Sequence, residues 1–257
     1  MKQLIAKIKP ASGFSQFLHI GLNILLPLLI FVLVRIEFVQ LALVLILLSK
    51  WRMFVVRPRF WMANIRANAV DIIVSLSFLL FMVNSGSPAV QLLWAAGYAL
   101  WLTAVKPMST TFMISLQATL GLLFGLSALF LGFGGAPLYI LVLGTGLVCY
   151  LSARHFFDSF DEPYARLLSY GWAYFGAALT WVLGHWLLFY GNGFVAQPTL
   201  ILVALGYCLA ALYYLDHYDK LSKLVRIEIM AITGVTVAAI VGSLVVNILG
   251  TVRDLLR

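Results

Sequence analysis

Long runs of apolar residues fill the chain, and short polar turns separate them. A helix that crosses a bilayer needs about 20 mostly apolar residues, because each residue advances about 1.5 Å along a hydrocarbon core about 30 Å thick. The separators at 84–88, 134–137 and 191–193 are rich in Gly, Pro, Asn and Ser, which favour tight turns over continued helix. The pattern therefore predicts nine spanning helices. They lie near residues 17–34, 38–49, 69–83, 90–105, 111–132, 138–153, 167–190, 199–215 and 227–250.

The second run, at 38–49, is the shortest of the nine. As a helix its dozen residues would extend only about 18 Å, which is less than the hydrocarbon thickness. The first two runs could instead form a re-entrant hairpin, and seven full spans would then remain. Both arrangements place the later helices in the same orientation.

The composition favours lipid as the surrounding solvent. Hydrophobic residues make up 63% of the 257 positions and charged residues only 10%, against about 45–50% and about 25% in soluble domains. The mean hydropathy is +1.03. We therefore expect an all-α polytopic integral membrane protein, in which residues 1–257 form a single transmembrane domain without a soluble catalytic domain.

Basic residues concentrate on one side of the predicted topology. Of the 17 lysines and arginines, 14 fall on the side of the N-terminus, and only Arg35, Arg253 and Arg257 fall on the other. Lysine and arginine are enriched in the cytoplasmic loops of membrane proteins. We therefore expect a cytoplasmic N-terminus, an external C-terminus and a multi-pass location in the plasma (cytoplasmic) membrane. This distribution also accounts for the net charge of +8, so nucleic acid is not an expected partner.

The segment at 50–68 combines basic and aromatic residues around a proline. Such a combination is typical of a stretch that lies at the lipid headgroups, with its cations on anionic lipid. A plain basic loop is the alternative. The residues predicted to face lipid are Lys50, Arg52, Arg57, Arg59 and Arg66.

Small residues recur at multiples of four in two of the apolar runs. This spacing places them on one helical face, where a second backbone can approach closely. Such faces usually pack helices within one protein, and a homo-oligomer interface is the alternative. The predicted packing residues are Gly121, Gly125, Gly234, Ala238, Gly242 and Gly250.

Two loops on the predicted cytoplasmic side each contain an Asp-x-x-Asp pair. On a helix, a spacing of three residues places both carboxylates on one side. Two such pairs that face each other could hold Mg²⁺ while a diphosphate supplies further oxygen ligands. The candidate metal-binding or catalytic residues are Asp158, Asp161, Asp216 and Asp219.

These motifs, their side of the membrane and the helix count resemble the intramembrane aromatic prenyltransferase superfamily. That superfamily has nine helices and two cytoplasmic aspartate-rich motifs, so the resemblance implies a Mg²⁺-dependent enzyme that ionises a polyprenyl diphosphate. The resemblance covers helix count, sidedness and two short motifs. The superfamily's first motif follows the second helix, whereas the corresponding loop here is basic and has Asp71 as its only nearby carboxylate.

The apolar runs contain no recognisable catalytic motif, and no cofactor is evident apart from Mg²⁺ in the enzyme reading. The sequence therefore favours a protein that binds membrane lipid, a small apolar ligand or a membrane-protein partner. An enzyme that acts on a lipid-linked diphosphate is one alternative. A transporter for a neutral or lipophilic substrate is a second.

Overall fold

The computed structural model describes residues 13–185 and 195–255, with side-chain surroundings for 20–185 and 195–243. Every regular element in these ranges is a helix, as the hydropathy pattern predicts. Short 3-10 turns at Trp51–Phe54 and Pro58–Phe60 precede α3, and a π turn at Trp101–Val105 extends α5. The α-helices are α1 (Gly13–Arg35), α2 (Val39–Ser49), α3 (Trp61–Ala67), α4 (Ala69–Asn84), α5 (Pro88–Leu100), α6 (Thr111–Phe133), α7 (Leu138–Asp158), α8 (Ala165–His185), α9 (Gln197–His217) and α10 (Lys223–Leu255).

Each predicted apolar run overlaps one of these helices, but the helices differ in length. A bent pair, Pro58–Ala67 with α4, turns by 65° and would add a sixth span to five long ones. The 11-residue α2 is shorter than a full span, and the predicted run 167–190 ends outside the described residues. The described part of the chain is thus all-helical, and five or six of its helices are long and apolar enough to cross a membrane. The five are Pro88–Val105, Thr111–Phe133, Leu138–Asp158, Gln197–His217 and Lys223–Ser243.

Helix ends that carry basic residues meet at one end of the bundle. Lys50 and Lys106 both contact Asp71, which joins the ends of α2 and α5 to the start of α4. The hydroxyl groups of Thr111 and Tyr218 lie 3.0 Å apart, so the start of α6 lies beside the end of α9. We call this end of the bundle the basic end. Its helix ends are those that the sequence places on one side of the membrane.

Aromatic packing joins α4, α5 and α6. Phe78 of α4 stacks on Tyr98 of α5, with ring centroids 5.5 Å apart, and also contacts Trp94 of α5. Phe124 of α6 lies 5.3 Å from Phe78, measured between ring centroids. Each aromatic pair adds about 0.5–1.5 kcal/mol beyond its buried area. These contacts give α4 a well-packed central position, with its first turn at the basic end.

Glycines allow α6 to approach α4 closely. A Cβ atom at Gly121 would lie 2.8 Å from Cγ1 of Val70, and one at Gly125 would lie 2.6 Å from Cγ2 of Ile73. Real Cβ atoms rarely come so close to another carbon, so a larger residue would force the two helices apart.

The helix α1 ends in a tight turn that starts α2. The Phe38 N–H donates to the Leu33 carbonyl at 2.9 Å, and the Glu37 N–H donates to the Val34 carbonyl at 3.2 Å. These two bonds define a Schellman motif, whose left-handed residue is usually glycine. Here Glu37 occupies that position with φ 64°. The turn satisfies the last carbonyls of α1 and lets α2 begin at Val39.

Candidate functional site

Asp71 is the centre of a buried charge cluster at the basic end, which we call the Asp71 cluster and which consists of Asp71, Lys50, Lys106 and Trp101. The Oδ2 atom of Asp71 accepts a hydrogen bond from the Lys50 ammonium and lies 2.8 Å from Nζ of Lys106. Its Oδ1 atom accepts a hydrogen bond from Nε1 of Trp101 at 3.1 Å. Lys50 and Asp71 are each 7% exposed, and no other charged residue is buried among those whose side chains the structure describes. The Lys106 side chain is 41% exposed.

The π turn at the end of α5 brings two of these partners to Asp71. Each residue of an α-helix turns by about 100°, so residues five apart lie about 140° apart around the axis. In the π turn, the Lys106 N–H donates instead to the Trp101 carbonyl, five residues back, at 2.9 Å. Trp101 and Lys106 therefore lie on nearly the same side of the helix, and both reach Asp71.

The charges of the cluster do not balance. Asp71 lies in the first turn of α4, where the helix dipole stabilises a negative charge. Two ammonium groups surround this one carboxylate, so the cluster carries one excess positive charge when all three groups are ionised. Burial lowers the pKa of Lys50, which lies just beyond α2, to about 8, and the charge of Asp71 opposes this shift.

The prediction that Lys50 faces lipid is wrong, because its side chain is buried. Its burial is possible because Asp71 compensates the charge of the ammonium group. Asp71 is the only acidic residue between Glu37 and Asp158. The pattern of apolar and polar positions does not predict this cluster. The available signal was a single carboxylate at the start of an apolar run, on the same predicted side as Lys50 and Lys106.

The other four predicted lipid-facing residues are exposed on the segment between α2 and α4. The Arg59 guanidinium lies 4.6 Å from the centroid of the Phe60 ring, within the range of a cation–π contact. Apolar side chains share this surface, since Met62 is 80% and Trp51 58% exposed. The segment therefore combines exposed cations with exposed apolar groups. The four basic residues are Arg52, Arg57, Arg59 and Arg66.

An apolar cleft of about 980 Å³ opens between α8 and α9. Among the described residues, no charged side chain lines it, and residues of α6 and α7 also contribute to its walls. Gly171 lies in its α8 wall, and a Cβ atom there would meet no heavy atom within 4 Å. Gly206 lies in the α9 wall, where a Cβ atom would lie 3.1 Å from Cδ2 of Leu122. The cleft is thus open beside Gly171 and tightly packed behind Gly206.

Aromatic side chains line the cleft near the basic end. Phe156 and Phe157 of α7 lie 5.8 Å and 5.3 Å from Tyr213 of α9, measured between ring centroids. The Tyr213 hydroxyl donates a hydrogen bond to the carboxylate of Glu162, which precedes α8. This contact ties α9 to the loop between α7 and α8, and it places polar groups beside this end of the cleft.

The two Asp-x-x-Asp loops are neighbours, but their carboxylates do not have the expected arrangement. The rings of Phe160 and His217, one from each loop region, have centroids 5.0 Å apart. Helix α7 ends at Asp158, and α9 ends at His217. The second aspartate of each pair therefore lies beyond its helix, with φ 51° at Asp161 and 54° at Asp219. Helical spacing does not place either pair on one helical face.

The two aspartates inside the helices have separate environments. Asp158 forms an ion pair with Arg154 one turn earlier, with 2.8 Å between Oδ1 and Nη2. Asp216 is exposed in the last turn of α9. Within the part of the chain that the structure describes, no three His, Cys, Asp or Glu side chains lie close enough together to hold a metal ion.

Asp219 occupies a backbone position like that of Glu37. The Lys220 N–H donates to the Leu215 carbonyl at 2.8 Å, and the Asp219 N–H donates to the Asp216 carbonyl at 3.0 Å. These bonds form a second Schellman motif, with Asp219 as its left-handed residue. The conformation of this loop therefore ends α9 and turns the chain toward α10.

The predicted packing glycines fall into two groups. Gly121 and Gly125 face α4, and a Cβ atom at Gly125 would also lie 2.9 Å from Cγ1 of Val148 on α7. On α10 a Cβ atom at Gly234 or Gly242 would meet nothing within 4 Å. Helix α10 contacts α9, but no residue of 223–243 is buried, so these glycines do not face a packed helix. Ala238 shares this exposed stretch, and Gly250 lies beyond the residues whose side-chain surroundings are described.

Comparison with known proteins adds no relative, since no family model, no curated protein and no solved structure matches the chain. The geometry of the Asp71 cluster, the apolar cleft and the Asp-x-x-Asp loops is therefore the basis for a functional proposal. The cluster and the cleft lie on different elements: the cluster on α4 and beside the ends of α2 and α5, and the cleft on α6 to α9.

Proposed function

We propose that the protein is a multi-pass protein of the plasma (cytoplasmic) membrane that binds the hydrocarbon chain of a lipid in the cleft between α8 and α9. In this proposal nine helices span the bilayer, the basic end and the N-terminus lie in the cytoplasm, and the C-terminus lies outside. The excess of basic residues supports that orientation. The observation that carries the function is a cleft of about 980 Å³ without a charged lining residue.

A hydrocarbon chain suits this cleft better than water or a polar solute. Water in a cavity needs polar partners for its hydrogen bonds, whereas apolar walls offer an acyl chain dispersion contacts. The cleft volume lies at the upper end of the range of about 300–1,000 Å³ for ligand pockets. Since it opens between two helices of a membrane protein, the bilayer itself supplies chains to fill it.

The end of the cleft near Tyr213 supports a lipid with its headgroup toward the basic end. The Tyr213 hydroxyl and the Glu162 carboxylate are polar groups beside a mostly apolar lining. A bound lipid could lie with its chain along α8 and α9 and its polar part at these groups. That direction matches the proposed orientation, because the headgroups of a leaflet lie at the membrane surface.

Gly171→Leu tests the proposal, because Gly171 lines the cleft and a larger side chain there has room to occupy part of its volume. Gly234→Leu is the matched control: Gly234 also has open surroundings, but it lies on α10 outside the cleft. Each variant is reconstituted in nanodiscs with a phospholipid that carries a photoactivatable diazirine on its acyl chain. Mass spectrometry then measures labelling of peptides from α8 and α9.

We expect Gly171→Leu to reduce this labelling about tenfold, which corresponds to a loss of about 1.4 kcal/mol of binding free energy. Labelling of the Gly234→Leu variant should match the wild type. If Gly171→Leu is labelled as strongly as the wild type, or if both variants lose labelling equally, the cleft does not bind acyl chains.

The adjacency of the two Asp-x-x-Asp loops supports a second candidate, a Mg²⁺-dependent enzyme that acts on a lipid-linked diphosphate. The chain of such a substrate could occupy the same cleft, whose aromatic end lies beside these loops. Asp158→Ala and Asp216→Ala should then abolish Mg²⁺-dependent binding of a polyprenyl diphosphate to the purified protein. If both variants bind it as the wild type does, this candidate is excluded.

A further inference from the structure

The Asp71 cluster has two ammonium groups but only one carboxylate to balance their charge and to accept hydrogen bonds from their N–H groups. Each ammonium group has three N–H donors. Lys50 and Lys106 both contact Oδ2 of Asp71, and Trp101 donates to Oδ1. The two ammonium groups are therefore held close to each other, and each repels the other's positive charge. A second anion at this point would relieve the repulsion.

Among the residues whose side chains the structure describes, no second carboxylate forms an ion pair with Lys50 or Lys106. Between Glu37 and Asp158 the sequence has seven lysines and arginines but only Asp71 as an acid. Asp158 is paired with Arg154. Glu37 precedes α2 whereas Lys50 follows it, and a helix of 11 residues separates helix ends by about 16 Å. An anion that balances the excess positive charge would therefore come from outside these residues.

Lys106 gives an external anion access to the cluster. Its side chain is 41% exposed, although Nζ lies 2.8 Å from the buried Asp71 carboxylate. The segment that begins at Trp51, directly after Lys50, carries exposed cations and exposed apolar groups. In the proposed topology this end of the bundle lies at the lipid headgroups, where phosphate groups are the most abundant anions. Lysine is a common phosphate ligand.

We propose that Lys50 and Lys106 together bind the phosphate group of an anionic lipid in the leaflet next to the basic end. Asp71 and Trp101 act as positioning residues, because they hold the two ammonium groups side by side. The site is separate from the α8–α9 cleft, since its residues lie on α4 and beside the ends of α2 and α5. Inorganic phosphate has the same chemistry, and the experiment below distinguishes the two sources.

Lys106→Gln is the informative variant. It removes the more exposed ammonium group and leaves Lys50 and Asp71 as a balanced pair, so the fold should persist. Lys106→Arg retains the charge. Arg59→Gln is the matched control, because it removes one exposed positive charge from the neighbouring segment outside the cluster. The proteins are reconstituted in nanodiscs of phosphatidylcholine with a minority of phosphatidylglycerol, and native mass spectrometry counts the phosphatidylglycerol retained after release.

We expect Lys106→Gln to retain about tenfold less phosphatidylglycerol than the wild type, whereas Lys106→Arg and Arg59→Gln stay within about twofold of it. Equal losses in Lys106→Gln and Arg59→Gln would indicate diffuse surface charge and would overturn the proposal, as would unchanged retention in Lys106→Gln.

A parallel experiment measures the melting temperature of each protein with and without millimolar inorganic phosphate. If phosphate stabilises the wild type but not Lys106→Gln while lipid retention is unaffected, the site takes free phosphate and the lipid assignment is wrong.

Discussion

The Lys50 ammonium donates a hydrogen bond to the Asp71 carboxylate across 21 positions of sequence, with both side chains more than nine-tenths buried. A buried ion pair adds little net stability, because the loss of hydration offsets much of the attraction. Removing one partner is costly, however, since it leaves a buried charge without compensation. Because Lys106 is also bound to Asp71, the cost should depend on which of the three residues is removed.

Replacement of the acid should destabilise the protein more than replacement of the exposed base. Asp71→Asn leaves two adjacent cations uncompensated, and we expect the free energy of unfolding to fall by about 3–5 kcal/mol. Lys106→Gln leaves a balanced pair and should cost less than about 1 kcal/mol, as for an exposed ion pair. Denaturant titration in detergent measures both values. Asp158→Asn, which breaks a partly exposed pair with Arg154, is the control, and a cost equal to that of Asp71→Asn would contradict the importance of burial.

Lys50 should make the stability depend on pH. Its pKa in the folded protein is about 8, below the ordinary 10.5, so between these values the unfolded chain binds more protons than the folded one. Stability therefore rises with pH from about 8 to about 10.5 through this group. The measurement is the difference in unfolding free energy between wild type and Lys50→Met at several pH values. A difference that is constant over this window would show that the pKa of Lys50 is not lowered.

Replacement of a helical glycine by alanine should lower the stability of the protein at Gly125 and raise it at Gly171. Gly125→Ala would place a Cβ atom 2.6 Å from Ile73 and 2.9 Å from Val148, both β-branched and restricted in their rotamers. We expect it to cost about 1–3 kcal/mol of unfolding free energy. Gly171 has open surroundings, so Gly171→Ala should raise the free energy of unfolding by up to about 1 kcal/mol through the higher helix propensity of alanine. Melting temperatures in one detergent test both, and a gain for Gly125→Ala would show that α4 and α6 can separate at little cost.

Asp219→Gly should stabilise the end of α9. Glycine adopts the left-handed conformation without the Cβ clash of an L-residue, so we expect a gain of about 1 kcal/mol in unfolding free energy. Asp216→Gly, inside the helix, is the matched control and should give no gain, because glycine has a lower helix propensity than aspartate. Thermal unfolding of the two variants checks the sign. A loss in Asp219→Gly would mean that the Asp219 side chain has a role beyond its backbone position.

The helical class could be predicted from the sequence because its cause is local. In lipid every backbone N–H and C=O must be satisfied within the protein, so long apolar runs that end in Gly, Pro and Asn form helices. The close approach at Gly121 and Gly125 likewise follows their spacing of four residues. The spacing at Gly234 and Gly242 is equally regular, yet in the structure these residues face open space. A spacing shows which residues share a helical face and leaves open what that face contacts.

The candidate sites could not be predicted from the sequence in the same way, because they depend on where helices end and on how separate helices pack. The Asp-x-x-Asp spacing implies paired carboxylates only while the helix continues, and α7 and α9 end before the second aspartate of each pair. The cleft depends on the separation of α8 and α9, which is set by their packing on α6 and α7 and not by either sequence alone.

By itself the sequence determined that this protein is helical and apolar, and that its basic residues gather at one set of helix ends. Hydropathy, turn residues and charge are properties of consecutive positions, and the bilayer acts on them directly. Only the tertiary structure decided that Lys50 is buried, because its partner Asp71 begins a different helix. Through the π turn at the end of α5, Trp101 and Lys106 reach the same carboxylate, a contact between separate helices that the pattern of consecutive positions does not encode.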